Sequence, residues 1–138
     1  MNVRDVMTQN PRTVAPNDTI QRAATVMKEV DTGFVPIVEN GRVVGVVTDR
    51  DIVIRAVAAG SYDKPVSAIA TRDLVFVAPD DSLRDAEKLM SERRIRRIAV
   101  IENDLLVGIV SLGDIAVKEG KDSRSGGVLE SVSEGVKH

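Results

Sequence analysis

The first half of this chain returns as its second half. With an offset of 63 residues and no gap, Pro16 falls on Pro79, Asp18 on Asp81, Met27 on Met90 and Glu39-Asn40 on Glu102-Asn103. Gly45, Asp51 and Ile52 likewise fall on Gly108, Asp114 and Ile115. A repeat of this length is too long for a solenoid unit, and two copies are too few for an array. The pattern therefore predicts two similar halves packed about a pseudo-twofold axis, with any cleft between them arising in pairs.

Each copy carries the same run of signals. A short lead, Val3 to Thr8 or Val66 to Thr71, has room for one helical turn. An extended piece ending in proline follows, Thr13-Val14-Ala15-Pro16 or Phe76-Val77-Ala78-Pro79. Asp18 or Thr19, and Asp81 or Ser82, then suit a helix N-cap, and Ser82 with Asp85 resembles a capping box. Ile20, Ala23, Ala24 and Met27 fall on one helical stripe, largely repeated by Leu83, Ala86 and Met90. Two short apolar runs come next in each copy, joined by Glu39-Asn40-Gly41-Arg42 or Glu102-Asn103-Asp104. Asn-Gly between apolar strands is a strong hairpin signal. A second helix starts at Thr48 or Ser111. The expected class is α/β (α+β), in two β-α-β-β-α repeats over 1–60 and 61–118. A lone unit of this kind would leave an apolar face bare, so the copies should pair. From Lys118 the composition turns to Gly, Ser and charge, which predicts a flexible tail over 119–138. Val128, Leu129, Val132 and Val136 form a weak apolar stripe within it.

Composition narrows the chemistry. Hydrophobic residues make up 43% of the 138 and aromatics only 2%, so the core must be aliphatic. A net charge of −2 argues against general attraction to nucleic acid or anionic membrane. No residue is cysteine and the single histidine is His138, which argues against most hydrolase and metalloenzyme chemistry. No signal peptide or membrane-spanning run is visible, and a cytoplasmic, non-catalytic protein without a metal is expected.

The residues with most to offer stand where the second strand of each hairpin runs into a helix. Gly45-Val46-Val47-Thr48-Asp49-Arg50-Asp51 and Gly108-Ile109-Val110-Ser111-Leu112-Gly113-Asp114 share Gly-x-x-[Thr/Ser]-x-x-Asp. Glycine admits a close neighbour. A hydroxyl beside helix-start amides favours phosphate, and the aspartate could accept vicinal ribose hydroxyls. The same four residues also make ordinary helix caps. Arg93 and Arg94 suit a helix C-terminus facing water. Arg96 and Arg97 lie where a strand begins and should take opposite faces, so one of them points to the cleft and could bind phosphate. Arg50 is a further phosphate candidate.

These two motifs, with Val35-Pro36-Ile37-Val38 and Arg96-Arg97-Ile98-Ala99-Val100, resemble a tandem pair of cystathionine β-synthase (CBS) domains, a Bateman module, over residues 3 to 117. The resemblance is to the small stand-alone bacterial type. It implies an adenine nucleotide in clefts between the repeats: AMP, ADP or ATP, with S-adenosylmethionine or NAD also possible. Asp51 and Asp114 would take the ribose, and Thr48 and Ser111 the phosphate. Val14, Pro36, Val77 and Ala99 would line the adenine, although Ala99 stands where the family usually has proline. Because the family can draw basic residues from the opposite repeat, Thr48 and Asp51 are expected to join Arg96 or Arg97. The resemblance also implies a homodimer, and a protein partner that reads the nucleotide-dependent shape. The alternative on the same fold is a ligand-free oligomerisation or interaction scaffold.

Overall fold

The computed structural model describes residues 1–123, with side chains described through residue 120. A 3-10 turn, Val3–Asp5, leads into β1 (Thr8–Gln9), α1 (Ile20–Val30), β2 (Phe34–Glu39) and β3 (Arg42–Thr48). Next come α2 (Asp49–Asp51), a π-helical continuation Ile52–Val57, and a second 3-10 turn, Val66–Ala68. The second copy supplies β4 (Phe76–Val77), α3 (Leu83–Arg93), β5 (Arg97–Glu102), β6 (Leu105–Ser111) and α4 (Leu112–Ser123). The mixed α/β class and the strand–helix–hairpin–helix order are as expected. Among the described residues, no helix is long and apolar enough to cross a membrane.

Local sequence explains each boundary. Thr19 and Ser82 are the N-caps, their hydroxyls accepting from the amides of Arg22 and Asp85. Ser82 and Asp85 thus make half of a capping box. Asp18 and Asp81 instead turn back to accept the amides of Ala15 and Ala78, at 2.8 and 2.9 Å. Both helices end on a left-handed residue at matching positions, Asp31 and Arg94. Both hairpins turn through paired positive-φ residues, Asn40-Gly41 and Asn103-Asp104, as a two-residue turn requires. Asp104 occupies there the conformation that Gly41 adopts freely.

The chain forms two compact units that do not coincide with the sequence repeats. The first-repeat unit is Pro11–Val75 with Asn103–Leu106; the second-repeat unit is Met1–Asn10, Phe76–Glu102 and the chain from Val107. Each repeat's lead segment therefore belongs with the body of the other repeat. In the second-repeat unit the sheet runs β1-β6-β5-β4, with Thr8 opposite Ile109 and β4 parallel to β5. The first-repeat unit reproduces it with single bridges: Thr71 pairs antiparallel with Val46, and Val14 parallel with Ile37. The amides of Val3 and Arg4 donate to the carbonyls of Asp81 and Pro79, and those of Val66 and Ser67 to Asp18 and Pro16. Val3 and Val66 are both fully buried.

This docking accounts for the two motif glycines. A Cβ on Gly45 would stand 3.2 Å from the Thr71 carbonyl oxygen, and one on Gly108 2.8 Å from that of Thr8. The close neighbour is the chain's own lead segment. The first-repeat core gathers Ile20, Ala23, Val26 and Met27 from α1, Val35, Ile37 and Val47 from the hairpin, and Val66 and Ile69 from the lead. In the other unit Leu83, Ala86, Met90, Ile98, Val100, Val110 and Ile115 are equally buried. Past residue 118, where composition predicts loose chain, α4 continues to Ser123. The apolar stripe from Val128 to Val136, and His138, lie outside the described residues.

Candidate functional site

Both motifs form corners where a strand delivers its last residue as a helix cap. In the first-repeat unit, Thr48 and Asp51 cap each other. The Thr48 amide donates to Asp51 Oδ2 at 3.0 Å, and the Asp51 amide to Thr48 Oγ1 at 3.1 Å. Ser111 and Asp114 repeat the exchange at 3.3 and 2.9 Å. The capping role is thus real at both corners, and it occupies one oxygen of each carboxylate.

Beyond that the corners differ. Asp51 is 7% exposed, and the Thr71 hydroxyl lies 3.2 Å from both of its oxygens. Arg55, one turn on, sets its Nε 3.8 Å from Asp51 Oδ1. Its Nη1 donates to the Ala70 carbonyl at 3.0 Å. Asp51 and Arg55 together clasp the lead segment 69–71, and the π-helical stretch begins at the next residue. In the second-repeat unit Thr8 and Lys118 stand in the places of Thr71 and Arg55. Neither bonds Asp114, which is only half-buried.

The helix-start amides differ as well. The Asp49 amide donates to the Gly33 carbonyl, the Arg50 amide to the Asp49 carboxylate, and the Asp51 amide to Thr48. All three donors offered to a phosphate by the sequence are therefore spent internally at the first corner. Gly33 makes this possible, since a Cβ there would lie 2.5 Å from Asp49 Oδ2. At the second corner Leu112 replaces Asp49 and Gly113 replaces Arg50. Leu112 offers no counterpart to the carboxylate that takes the Arg50 amide. The other two amides of that helix start are spent as at the first corner, Leu112 on the Arg96 carbonyl and Asp114 on the Ser111 hydroxyl, so the corners differ at the Gly113 amide.

The other expected site residues are placed as follows. Arg96 is exposed and Arg97 half-buried, and both belong to the second-repeat unit. The Arg96 carbonyl accepts the Leu112 amide at 2.8 Å, so Arg96 enters the corner of Ser111 and Asp114 within its own unit. Thr48, Arg50 and Asp51 belong to the first-repeat unit, with Arg50 exposed. Val14 and Pro36 are hydrogen-bonded neighbours, the Val14 amide donating to the Pro36 carbonyl at 3.1 Å. Val77 and Ala99 lie on the paired strands β4 and β5. All four residues are buried. Sequence reading missed Thr71 and Arg55. A threonine repeated at the end of each lead, and an arginine four residues beyond the motif aspartate, were the signals available.

Comparison with known proteins agrees with this architecture. The model of the CBS domain family matches residues 3–57 and 66–118. CBS domain-containing protein YhcV of Bacillus subtilis is 43% identical over 95% of this chain and 94% of its own length. The crystal structure of Hypoxic Response Protein I with two coordinated zinc ions superposes with a TM-score of 0.78. It is 35% identical and is matched over 85% of this chain and 98% of that one. Among the described residues here, no group of three or more His, Cys, Asp or Glu is gathered to hold a metal ion. The CBS domain pair of protein MJ0100, solved in complex with 5'-methylthioadenosine and S-adenosyl-L-methionine, gives a TM-score of 0.81 at 28% identity. That match covers 88% of this chain and 98% of the other. Two family matches, a doubled motif and a doubled sheet lead to one conclusion: this chain belongs to the CBS domain family and is a tandem pair of such domains.

Proposed function

We propose that this protein is a non-catalytic sensor of adenine nucleotides, whose occupancy alters the packing of the two repeats and is read by a protein partner. The observation that carries the reading is the Ser111–Gly113–Asp114 corner. It combines in one unit a half-buried carboxylate, a hydroxyl, and a helix start whose middle residue, Gly113, has beside it no carboxylate like the one Asp49 gives Arg50. Ribose hydroxyls donate to Asp114, and a 5'-phosphate meets Ser111 and the backbone at Gly113, with Arg96 or Arg97 as the cationic contact. Adenine lies against main chain near Val77 and Ala99, or Val14 and Pro36. The complex of the MJ0100 pair with two 5'-substituted adenosines supports the ligand class. The first corner, with Thr48, Arg50 and Asp51, is the second site. Because Thr71 and Arg55 must release Asp51 there, it fills at higher concentration. Coupling follows from the difference in ligand affinity between the two packings.

Thermal unfolding with AMP, ADP, ATP, S-adenosylmethionine and NAD tests the reading. At least one ligand should stabilise the chain, by about 2.7 kcal/mol at a hundredfold excess over its Kd. Asp114→Ala should abolish that gain where Asp51→Ala weakens it less. No stabilisation by any of them would contradict it.

One observation favours a second reading, an oligomerisation scaffold. Val53, Ile54 and Val57 on the π-helical segment are 55%, 54% and 49% exposed. Such a cluster suits a self-contact in a homodimer. Sedimentation equilibrium of the wild type and Ile54→Lys decides it: the scaffold reading requires dissociation by the substitution and no effect of any nucleotide.

A further inference from the structure

The first-repeat unit contains a cavity of about 310 Å³ that the proposed nucleotide corners do not use. Pro16, Ile37, Val44 and Ala70 give it an apolar lining, and Ser67, Glu39 and Arg72 add polar groups. None of the motif residues Thr48 to Asp51 lines it. Its origin can be read by comparison with the other copy. Ser67 and Ala70 correspond to Arg4 and Met7, while Pro16 and Glu39 correspond to Pro79 and Glu102.

In the second-repeat unit these positions are filled. Arg4 reaches across from the lead segment to Asp80 at 3.2 Å and Glu102 at 3.3 Å. Met7 Sδ lies 2.8 Å from the place of a Cβ on Gly108, whereas Ala70 Cβ stands 3.5 Å from that on Gly45. Two reductions in side-chain size, on one lead segment, therefore vacate the same spot in the first-repeat unit. The salt-bridge partner is left behind: Glu39 keeps the position of Glu102 and has no ion pair among the described residues. Arg72 replaces Gln9 and spends one N–H on the Ser67 carbonyl, at 3.3 Å. Opposite charges thus border one apolar hollow without neutralising each other.

From this arrangement we infer that the cavity bordered by Glu39, Arg72 and Ser67 is a binding site for a free amino acid with an aliphatic side chain. The carboxylate pairs with Arg72 in the fork geometry of guanidinium–carboxylate contacts, and the ammonium donates to Glu39. The side chain fills the space against Ile37, Ala70 and Pro16. The volume lies within the range of small-ligand pockets, ~300–1,000 Å³. A single-charge ligand would leave one rim charge uncompensated. The site is separate from the nucleotide reading and stands or falls apart from it.

The chain's other copy supplies the test. Ser67→Arg with Ala70→Met writes the second-repeat filling into the first-repeat unit, where Asn17 and Glu39 stand in place of Asp80 and Glu102. With the full chain and L-leucine as probe, the methyl resonances of Ala70 and Ile37 should shift on titration in the wild type. They should remain still in the double variant, whose melting temperature should be at or above that of the wild type. Arg72→Ala, an exposed change that leaves the hollow open, should weaken L-leucine binding about tenfold or more. The deaminated analogue 4-methylpentanoate and the decarboxylated analogue 3-methylbutylamine should each bind more weakly than L-leucine. Still methyl resonances in the wild type at millimolar L-leucine would overturn the site. So would undiminished binding by Arg72→Ala or by a folded double variant, or equal binding of either analogue.

Discussion

Single residues decide how alike the two copies are. Asp51 and Asp114 are equivalent in sequence and both cap a helix, yet only Asp51 has a hydroxyl and a guanidinium drawn onto it. Thr71→Val should therefore lower the free energy of unfolding by about 1 kcal/mol, the net worth of a buried hydrogen bond. Thr8→Val, at the matching position, should stay within about 0.5 kcal/mol. Paired denaturant titrations check both. A second residue-level effect concerns α3 and α4. The Glu119 carboxyl is held above the usual carboxylate value, first by desolvation and then by Glu87, with Arg84 opposing. A raised folded-state value means the stabilising contribution is complete below the unfolded carboxylate value and is lost as pH rises through the folded one. Glu119→Gln should then raise the melting temperature at neutral pH and change it little near about pH 4. Equal effects at both would contradict the assignment. Much of this scale was legible in sequence: the caps at Thr19, Ser82, Thr48 and Ser111 follow from short-range chemistry. Thr71 was not legible, because a contact across twenty residues leaves no periodic trace, whereas Arg55 stands at the readable spacing of four residues from Asp51.

At the scale of elements, the hairpins and amphipathic helices follow from Asn40-Gly41, Asn103-Asp104 and the stripes of α1 and α3. The lead segments do not. Val3–Asp5 and Val66–Ala68 were readable as single turns, but nothing local says which body a turn docks on. That choice depends on Val3 and Val66 finding an apolar socket and on four backbone amides finding carbonyls at Pro16, Asp18, Pro79 and Asp81. Each valine should matter as a core residue. Val3→Ala and Val66→Ala should each cost about 1.5–3 kcal/mol. Hydrogen exchange should place the loss of protection from Val3→Ala in α3 and β5, and that from Val66→Ala in α1 and β2. The reverse distribution would mean that each lead packs on its own repeat. The π-helical stretch Ile52–Val57 was also invisible, since its side chains carry the spacing of an ordinary α-helix. It starts directly after Asp51 and contains Arg55, so it coincides with the clasp on residues 69–71. Wide turns of this kind often accompany functional contacts.

For the whole molecule, duplication provides two frameworks that substitutions have since made different. One corner has Gly113 and a half-buried Asp114 at its helix start; the other holds Asp51 buried against the lead segment 69–71. One lead fills its hollow with Arg4 and Met7; the other leaves it open. Unequal sites are expected on the repeated scaffold, and calorimetric titration with the nucleotide that stabilises most strongly measures this directly. Two phases are expected in the wild type. Asp114→Ala should remove the tighter one, with a loss of about tenfold to a hundredfold from the missing charged hydrogen bonds. Thr71→Val should strengthen the weaker one by releasing Asp51. A titration that shows no heat with any adenine nucleotide, or two identical phases unaffected by Asp114→Ala, would contradict the account.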